Sequence, residues 1–382
     1  MGRKIVLNLC TLLVSSILSL VLLEVALRIY NPVVQTVKGD RVVLTANYDE
    51  VRKNAGIPGL APESHIHQNS VGFRGADPPA DFTDRLTLIT VGGSTTRSPA
   101  QSDNVTWTAL LGDAAADCFN HTWINNAGFD GHTSIAHSQL IRKYINKLHP
   151  KVVLMLVGAN ELFADGVLTQ GRQKASSAGP DFDAAMQKNG AKGFLKDLLL
   201  RSEAVDLGLT LYRSFRARQS GFTGWTKMEG TVSMPPGGEA ILTAATQTQS
   251  AYAERLRTLI SLLQQGQTVP VLITQPTFGG MGRDPTTGNE LSRLWFGLFW
   301  YRVFETYNDT MREVAESDHV ELIDLARMMP KDTKYYIDPM HYSDAGAREV
   351  ARQVSLALMP YLERKFPSFS RGTCQTGIAK PG

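Results

Sequence analysis

The sequence predicts an α/β protein built on a parallel sheet. Short apolar runs rich in β-branched residues recur along the chain, separated by stretches whose apolar positions follow helical spacing. One run, Lys151–Val157, carries an unbroken Val-Val-Leu-Met-Leu-Val core, the pattern of a strand covered on both faces. The segments after the runs gather Gly, Ser, Asn, Asp and His, at the strand ends where open α/β sheets place their ligands.

Composition bounds the reading. The 382 residues are 43% hydrophobic and 20% charged, which suffices for one large domain with additions. Thirty-nine basic and 36 acidic residues leave a formal charge of +3, and no Lys/Arg run gives the footprint of a nucleic-acid binder.

The N-terminus stands apart. Arg3 and Lys4 precede an uncharged run from Ile5 to Leu23, just long enough to span a hydrocarbon core. The basic flank predicts a cytoplasmic N-terminus with the body of the protein on the other side. A cleaved signal peptide is the alternative. Leu23-Glu-Val-Ala-Leu-Arg28 makes a poor cleavage site, so residues 1–30 are read as an uncleaved signal-anchor.

The remaining elements follow in order. Residues 31–85, opened by the helix-breaking Asn31-Pro32, read as a stalk and covering segment. Within it, Asn69–Gly75 reads as a short ordered piece anchored by Phe73, with Arg74 a surface arginine. The α/β domain is expected over 86–366. Its strands fall at Leu86–Val91, Thr122–Asn126, Lys151–Val157, Thr268–Thr274 and Val320–Ile323. Its helices fall at Thr106–Ala116, Ser134–Leu148, Gln247–Gln265 and Ala345–Leu358. Residues 163–247 are too long for a loop and read as an insertion, a lid or a cap. Leu291–Glu316 is an aromatic helix or helix pair, read as core, with an apolar pocket wall as the alternative. Residues 367–382 read as a loosely ordered tail.

Cys10 lies in the anchor, while Cys118 and Cys374 are either a pair or two buried thiols. No His/Cys ligand spacing supports a metal, and no Gly-rich phosphate fingerprint follows a strand, so no cofactor is called for. Asn104, Asn120 and Asn308 each begin an N-glycosylation sequon.

Four loops carry the chemistry. Ser94 follows the first strand behind Gly92-Gly93. Asn126-Ala-Gly-Phe-Asp-Gly-His-Thr-Ser134 follows the second, Gly158-Ala-Asn160-Glu161 the third, and Asp338-Pro-Met-His341 the last. A serine nucleophile needs a base, a group that orients the base, and donors for the developing oxyanion. Ser94, His341 and Asp338 supply the first three. The Ser94 N–H, the Gly128 N–H and the Asn160 amide are the candidate oxyanion donors.

These blocks resemble the SGNH hydrolases, the GDSL-type esterase/lipase family. Val91-Gly-Gly-Ser-Thr95 resembles the first block, Asn126-Ala-Gly128 the second, Gly158-Ala-Asn160 the third and Asp338-Pro-Met-His341 the fifth. Asn69–Arg74 is similar to the Asn…Gly-Phe-Arg segment of membrane-anchored members. The resemblance implies a flavodoxin-like α/β/α fold on a five-stranded parallel sheet, a Ser94–His341–Asp338 triad, and an oxyanion hole from Ser94, Gly128 and Asn160. Gly93 and Glu161 depart from the family's usual aspartates. The expected activity is hydrolysis, or transfer, of a short acyl group, such as acetyl on an envelope or extracellular glycan. A lipase or thioesterase for longer chains, an O-acyltransferase and a non-catalytic glycan-binding module are the alternatives. The expected partners are an acylated small molecule or glycan and, through residues 5–23, the membrane.

Overall fold

The computed structural model describes residues 2–30, 37–38, 41–54, 56–161, 202–205, 207–208, 233–372 and 374. Most of the segment read as an insertion therefore lies outside the described residues. The chain divides into two compact units, Met1–Val43 with Ser176–Thr223, and Leu44–Ala175 with Gly224–Gly382.

In the first unit, α1 (Gly2–Ile29) contains a stretch, Lys4–Ile29, long and apolar enough to cross a membrane. Its apolar side chains are exposed apart from the buried Leu27, as a largely lipid-facing helix requires. Glu24 accepts hydrogen bonds from Ser202 Oγ (2.8 Å) and from the N–H groups of Glu203 and Ala204 (3.1 and 3.2 Å). Two-residue strands β1 (Val37–Lys38) and β2 (Arg41–Val42) pair antiparallel.

The second unit opens with a hairpin, β3 (Tyr48–Lys53) and β4 (Glu63–Gln68), paired antiparallel from Tyr48↔Gln68 to Lys53↔Glu63. Part of the segment read as stalk is thus regular structure. Its signal is faint because β4 turns only Ser64, Ile66 and Gln68 inward, and two of those three are polar. From Gln68 the chain turns through Asn69, whose side chain accepts from the Val71 and Phe73 N–H groups and donates to Asn125 Oδ1 (2.6 Å).

The main sheet has five parallel strands in the order β6-β5-β7-β8-β9: β5 (Leu86–Gly92), β6 (Thr122–Gly128), β7 (Val152–Leu156), β8 (Val269–Ile273) and β9 (Glu321–Ile323). This is the flavodoxin-like arrangement 2-1-3-4-5. β5 and β7 are buried at every residue, which explains the unbroken apolar run of β7; β5 also buries Thr87 and Thr90.

The helices fill both faces. α2 (Ser94–Arg97) is one short turn after β5. α3 (Trp107–Cys118) is capped by Thr106, whose hydroxyl accepts from the Ala109 N–H. α4 (Ser134–Leu140) continues through a π-helical stretch, Ile141–Ile145, into α5 (Asn146–Leu148). α6 (Gly238–Gln247) and α7 (Gln249–Gln265) precede β8, and α8 (Gly297–Ser317) precedes β9. α9 (Leu325–Met328) and α10 (Asp344–Lys365) complete the unit. Helix α10 runs seven residues beyond its sequence-predicted end, through Pro360. On one face, α3 and α10 bury Trp107, Leu111, Val350, Val354 and Leu358 against Leu88, Leu154 and Ile273. On the other, α4, α7 and α8 pack together.

The aromatic stretch is core in part: Phe299, Phe304 and Tyr307 are buried, while Trp295, Phe296, Trp300 and Tyr301 are half-buried, Trp295 packing edge-on against the buried Phe278. The end of the chain is tied down as far as Cys374. Asn120 N–H donates to Phe369 O, Arg371 N–H to Cys118 O, and a disulfide joins Cys118 to Cys374.

Candidate active site

Strand β5 delivers Ser94 to the site. The chain leaves the sheet at Gly92, and Gly93 caps α2, whose first residue is Ser94. A Cβ at position 93 would run into the Asn160 side-chain amide, so glycine here is what lets the third-strand loop close over the serine.

Ser94 Oγ lies 2.7 Å from His341 Nε2, and His341 Nδ1 lies 2.7 Å from Asp338 Oδ2. Asp338 uses its other oxygen to accept the N–H groups of Met340 (2.9 Å) and His341 (2.8 Å). Those two bonds need a tight Asp-x-x-His turn, which is why the acid and the base lie so close in sequence. Burial pushes the Asp338 carboxyl up, but the adjacent imidazole and the two N–H donors outweigh it and hold it below the usual carboxylate range. An ionised Asp338 makes Nδ1 the protonated nitrogen, leaving Nε2 to accept from the Ser94 hydroxyl.

Asn160 Nδ2 donates one hydrogen to His132 O at 2.9 Å and keeps a second. The Ser94 N–H, at the first position of α2, makes no hydrogen bond among the described residues. Gly128 departs from expectation. Its N–H donates to Asn126 Oδ1 at 2.8 Å, and Asn126 Nδ2 in turn reaches Thr96 O at 2.6 Å. Position 128 is glycine because the backbone of Thr96 and Arg97 packs against its Cα. The N–H of Gly131, which has φ +73°, makes no hydrogen bond among the described residues, and neither does that of its neighbour Asp130. The turn closes with His132 N–H donating to Phe129 O at 3.2 Å. The Asp130-Gly131 dipeptide was the sequence signal for such a turn.

Surrounding groups hold these loops. Glu161, fully buried, accepts from the Ser134 N–H (2.6 Å) and from Arg255 (2.9 Å), tying the third-strand loop to the start of α4. Arg97 pairs with Asp130 at 2.9 Å. Arg74 is buried rather than on the surface. It pairs with Asp103 (2.7 Å) and donates to the carbonyls of Arg97, Ser98 and Gln101, bracing the segment that leaves the nucleophile helix. His132 and His137 are buried beside each other, with ring centroids 5.9 Å apart. Burial lowers both, His137 to about 4. Among the described residues no cluster of His, Cys, Asp and Glu forms a metal site.

The sequence model of the GDSL-like Lipase/Acylhydrolase family matches residues 89–349. No curated protein matches the chain. Among solved structures, the lipase/acylhydrolase from Enterococcus faecalis is 15% identical, with 72% of this chain and 96% of that one covered at a TM-score of 0.39. Axe2, an acetylxylan esterase from Geobacillus stearothermophilus, is 13% identical, with 71% and 93% covered at a TM-score of 0.39. LAE5, an α/β hydrolase from the metagenome of Lake Arreo, is 14% identical, with 71% and 94% covered at a TM-score of 0.40. The family match spans more than half of the chain and takes in every one of the four loops: this protein is a member of the GDSL-like lipase/acylhydrolase family, a carboxylic ester hydrolase.

Proposed function

We propose that Ser94, His341 and Asp338 are the catalytic triad of an esterase that removes a short acyl group, acetyl foremost, from a glycan outside the cytoplasm. The observation that carries this is the continuous Ser94–His341–Asp338 hydrogen-bonded chain. His341 Nε2 takes the Ser94 proton as Oγ attacks the ester carbonyl. The oxyanion is received by the N–H groups of Ser94 and Gly131 and the Asn160 amide. His341 then gives its proton to the departing alcohol. In the second half a water, deprotonated by His341, attacks the acyl-enzyme, and the acid leaves as Ser94 regains its proton.

Two observations support a short acyl group. A recess of about 10 Å³ opens beside Ser94 and His341, lined by Ser98, Pro99, Ala100, Ile337 and Tyr342. That is about the space of one water molecule, too little for a long acyl chain. Three of the aromatic residues that would have walled a longer acyl pocket, Phe299, Phe304 and Tyr307, are instead packed in the core. A location outside the cytoplasm is supported by the basic flank of α1 and by the Cys118–Cys374 disulfide, a bond that persists in oxidising compartments.

Turnover of 4-nitrophenyl acetate, butyrate and octanoate by the full-length protein in detergent micelles, beside Ser94→Ala, tests the reading. Activity lost in Ser94→Ala and falling steeply beyond acetate is the expected result. A preference for octanoate would replace it with the long-chain reading, and equal activity in both proteins would remove Ser94 from the mechanism.

A further inference from the structure

Ser94 and His341 stand on different loops, and one hydrogen bond between them does not explain what keeps them at reacting distance. Directly after β8, in a loop that the sequence left without a role, lies Gln275. It is 1% exposed. Its side-chain oxygen accepts from the Thr95 hydroxyl at 2.9 Å, and its amide nitrogen donates to Pro276 O at 3.0 Å and to the Tyr342 hydroxyl at 3.4 Å. Thr95 is the residue after Ser94, and Tyr342 is the residue after His341. One amide therefore holds the chain neighbours of both the nucleophile and the base.

Gln275 is itself immobilised. Its backbone N–H donates to Asn308 Oδ1 (2.8 Å) and its carbonyl accepts from Asn308 Nδ2 (3.0 Å), a two-point clamp from α8. Asn308 is 1% exposed with both ends of its amide engaged, so this sequon serves the fold and is closed to a glycan. The partners are braced from their far sides as well. Trp107 Nε1 donates to Thr95 O at 3.1 Å, and Gln101 Nε2 donates to Tyr342 O at 2.7 Å. A primary amide suits the position because it offers an acceptor to one neighbour and a donor to the other without charge. All these groups are buried, so a bond lost here is not replaced by water.

We propose that Gln275 is a positioning residue that sets the Ser94–His341 separation by holding Thr95 and Tyr342 together. The inference rests on the triad reading above. A displacement of about 1 Å at reacting groups is enough to cost about 10²-fold in rate.

The test is kcat and KM for 4-nitrophenyl acetate in the full-length protein, with Thr95→Val, Thr95→Ser, Gln275→Met and the Thr95→Val/Gln275→Met double variant. Thr95→Val removes the hydroxyl at nearly constant shape, and Thr95→Ser restores it. Thr95→Val and Gln275→Met are each expected to lower kcat about tenfold with KM within about twofold, and Thr95→Ser to stay near wild type. The double variant is expected to be no slower than the slower single one, because both remove the same link. Thr95→Val at wild-type kcat, or losses that multiply in the double variant, would overturn the proposal. If Gln275→Met does not fold, the Thr95→Val and Thr95→Ser pair decides alone. Ser94→Ala separates the two levels: an active Ser94→Ala defeats the triad reading, whereas an inactive one beside a fully active Thr95→Val defeats only the role of Gln275.

Discussion

Ser94 Oγ and His341 Nε2 are separated by 247 positions in the chain and by 2.7 Å in space. The parallel sheet brings them together, since β5 ends two residues before Ser94 while the loop bearing His341 leads into α10. The imidazole gains its orientation from Asp338, so the acid acts through the base. Asp338→Asn, which reverses the sense of the Nδ1 hydrogen bond, is expected to lower kcat by about 10⁴ with little change in KM. Steady-state kinetics on 4-nitrophenyl acetate would check this; a loss below tenfold would mean that the tautomer is set elsewhere.

Arg74 holds the segment after the nucleophile through one carboxylate and three carbonyls. A lysine carries the charge but not the planar fork that meets four acceptors. Arg74→Lys is expected to destabilise the fold by about 3 kcal/mol and to reduce kcat along with it. Denaturant unfolding measures the first effect. Stability unchanged in Arg74→Lys would show that the carbonyls find other donors.

His137 gives the fold a pH dependence. Burial disfavours its charged form, the Gly92 carbonyl opposes this only in part, and the folded value falls from 6.5 to about 4. The unfolded chain therefore binds more protons between those two values, and stability drops as pH falls from 6.5 towards 4. The contribution is of the order of 3 kcal/mol, and His132, lowered in the same direction, adds to it. Thermal unfolding followed from pH 7 to pH 4 should show Tm falling through this window, and His137→Phe should flatten the fall. A Tm that is level across the window in the unsubstituted protein would contradict this account.

The disulfide closes a loop spanning 256 residues and fastens the end of the chain to α3. Removing such a bond costs about 2–5 kcal/mol, a drop of roughly 2–6 °C in Tm for a chain of this size. Reductant and Cys374→Ser should lower Tm by similar amounts, and reductant should do nothing further to Cys374→Ser. Cys10 lies on α1 as a free thiol and serves as an internal control for labelling.

What the sequence made legible follows from how local each signal is. The strands of the main sheet are readable because buried parallel strands are predominantly apolar, β7 throughout, and Ser94 sits beside its own strand end, whereas Asp338 and His341 are announced by their spacing. The β3–β4 hairpin is not readable, because its inward positions include Ser64 and Gln68. Arg74 reads as a surface residue because its partners are backbone carbonyls more than twenty residues away, which no local pattern announces. Gln275 is silent for the same reason. Gly128 and Gly131 could each offer an N–H as far as the sequence goes; that Gly128's is taken depends on Asn126 folding back onto its own loop.

The oxyanion reading is open to experiment through Asn160. Its amide is the side-chain donor nearest the turn of Gly93, with one hydrogen held by His132 O and one left for an oxyanion. Asn160→Ala is expected to lower kcat by about 10²–10³ while KM for a small ester changes little, because the lost bond forms only as charge develops. Asn160→Asp places a carboxylate where negative charge must gather, so it should be slower than Asn160→Ala. The reverse order, or a kcat within a few fold of wild type in Asn160→Ala, would leave Ser94 and Gly131 as the oxyanion donors and assign Asn160 to bracing the His132 carbonyl.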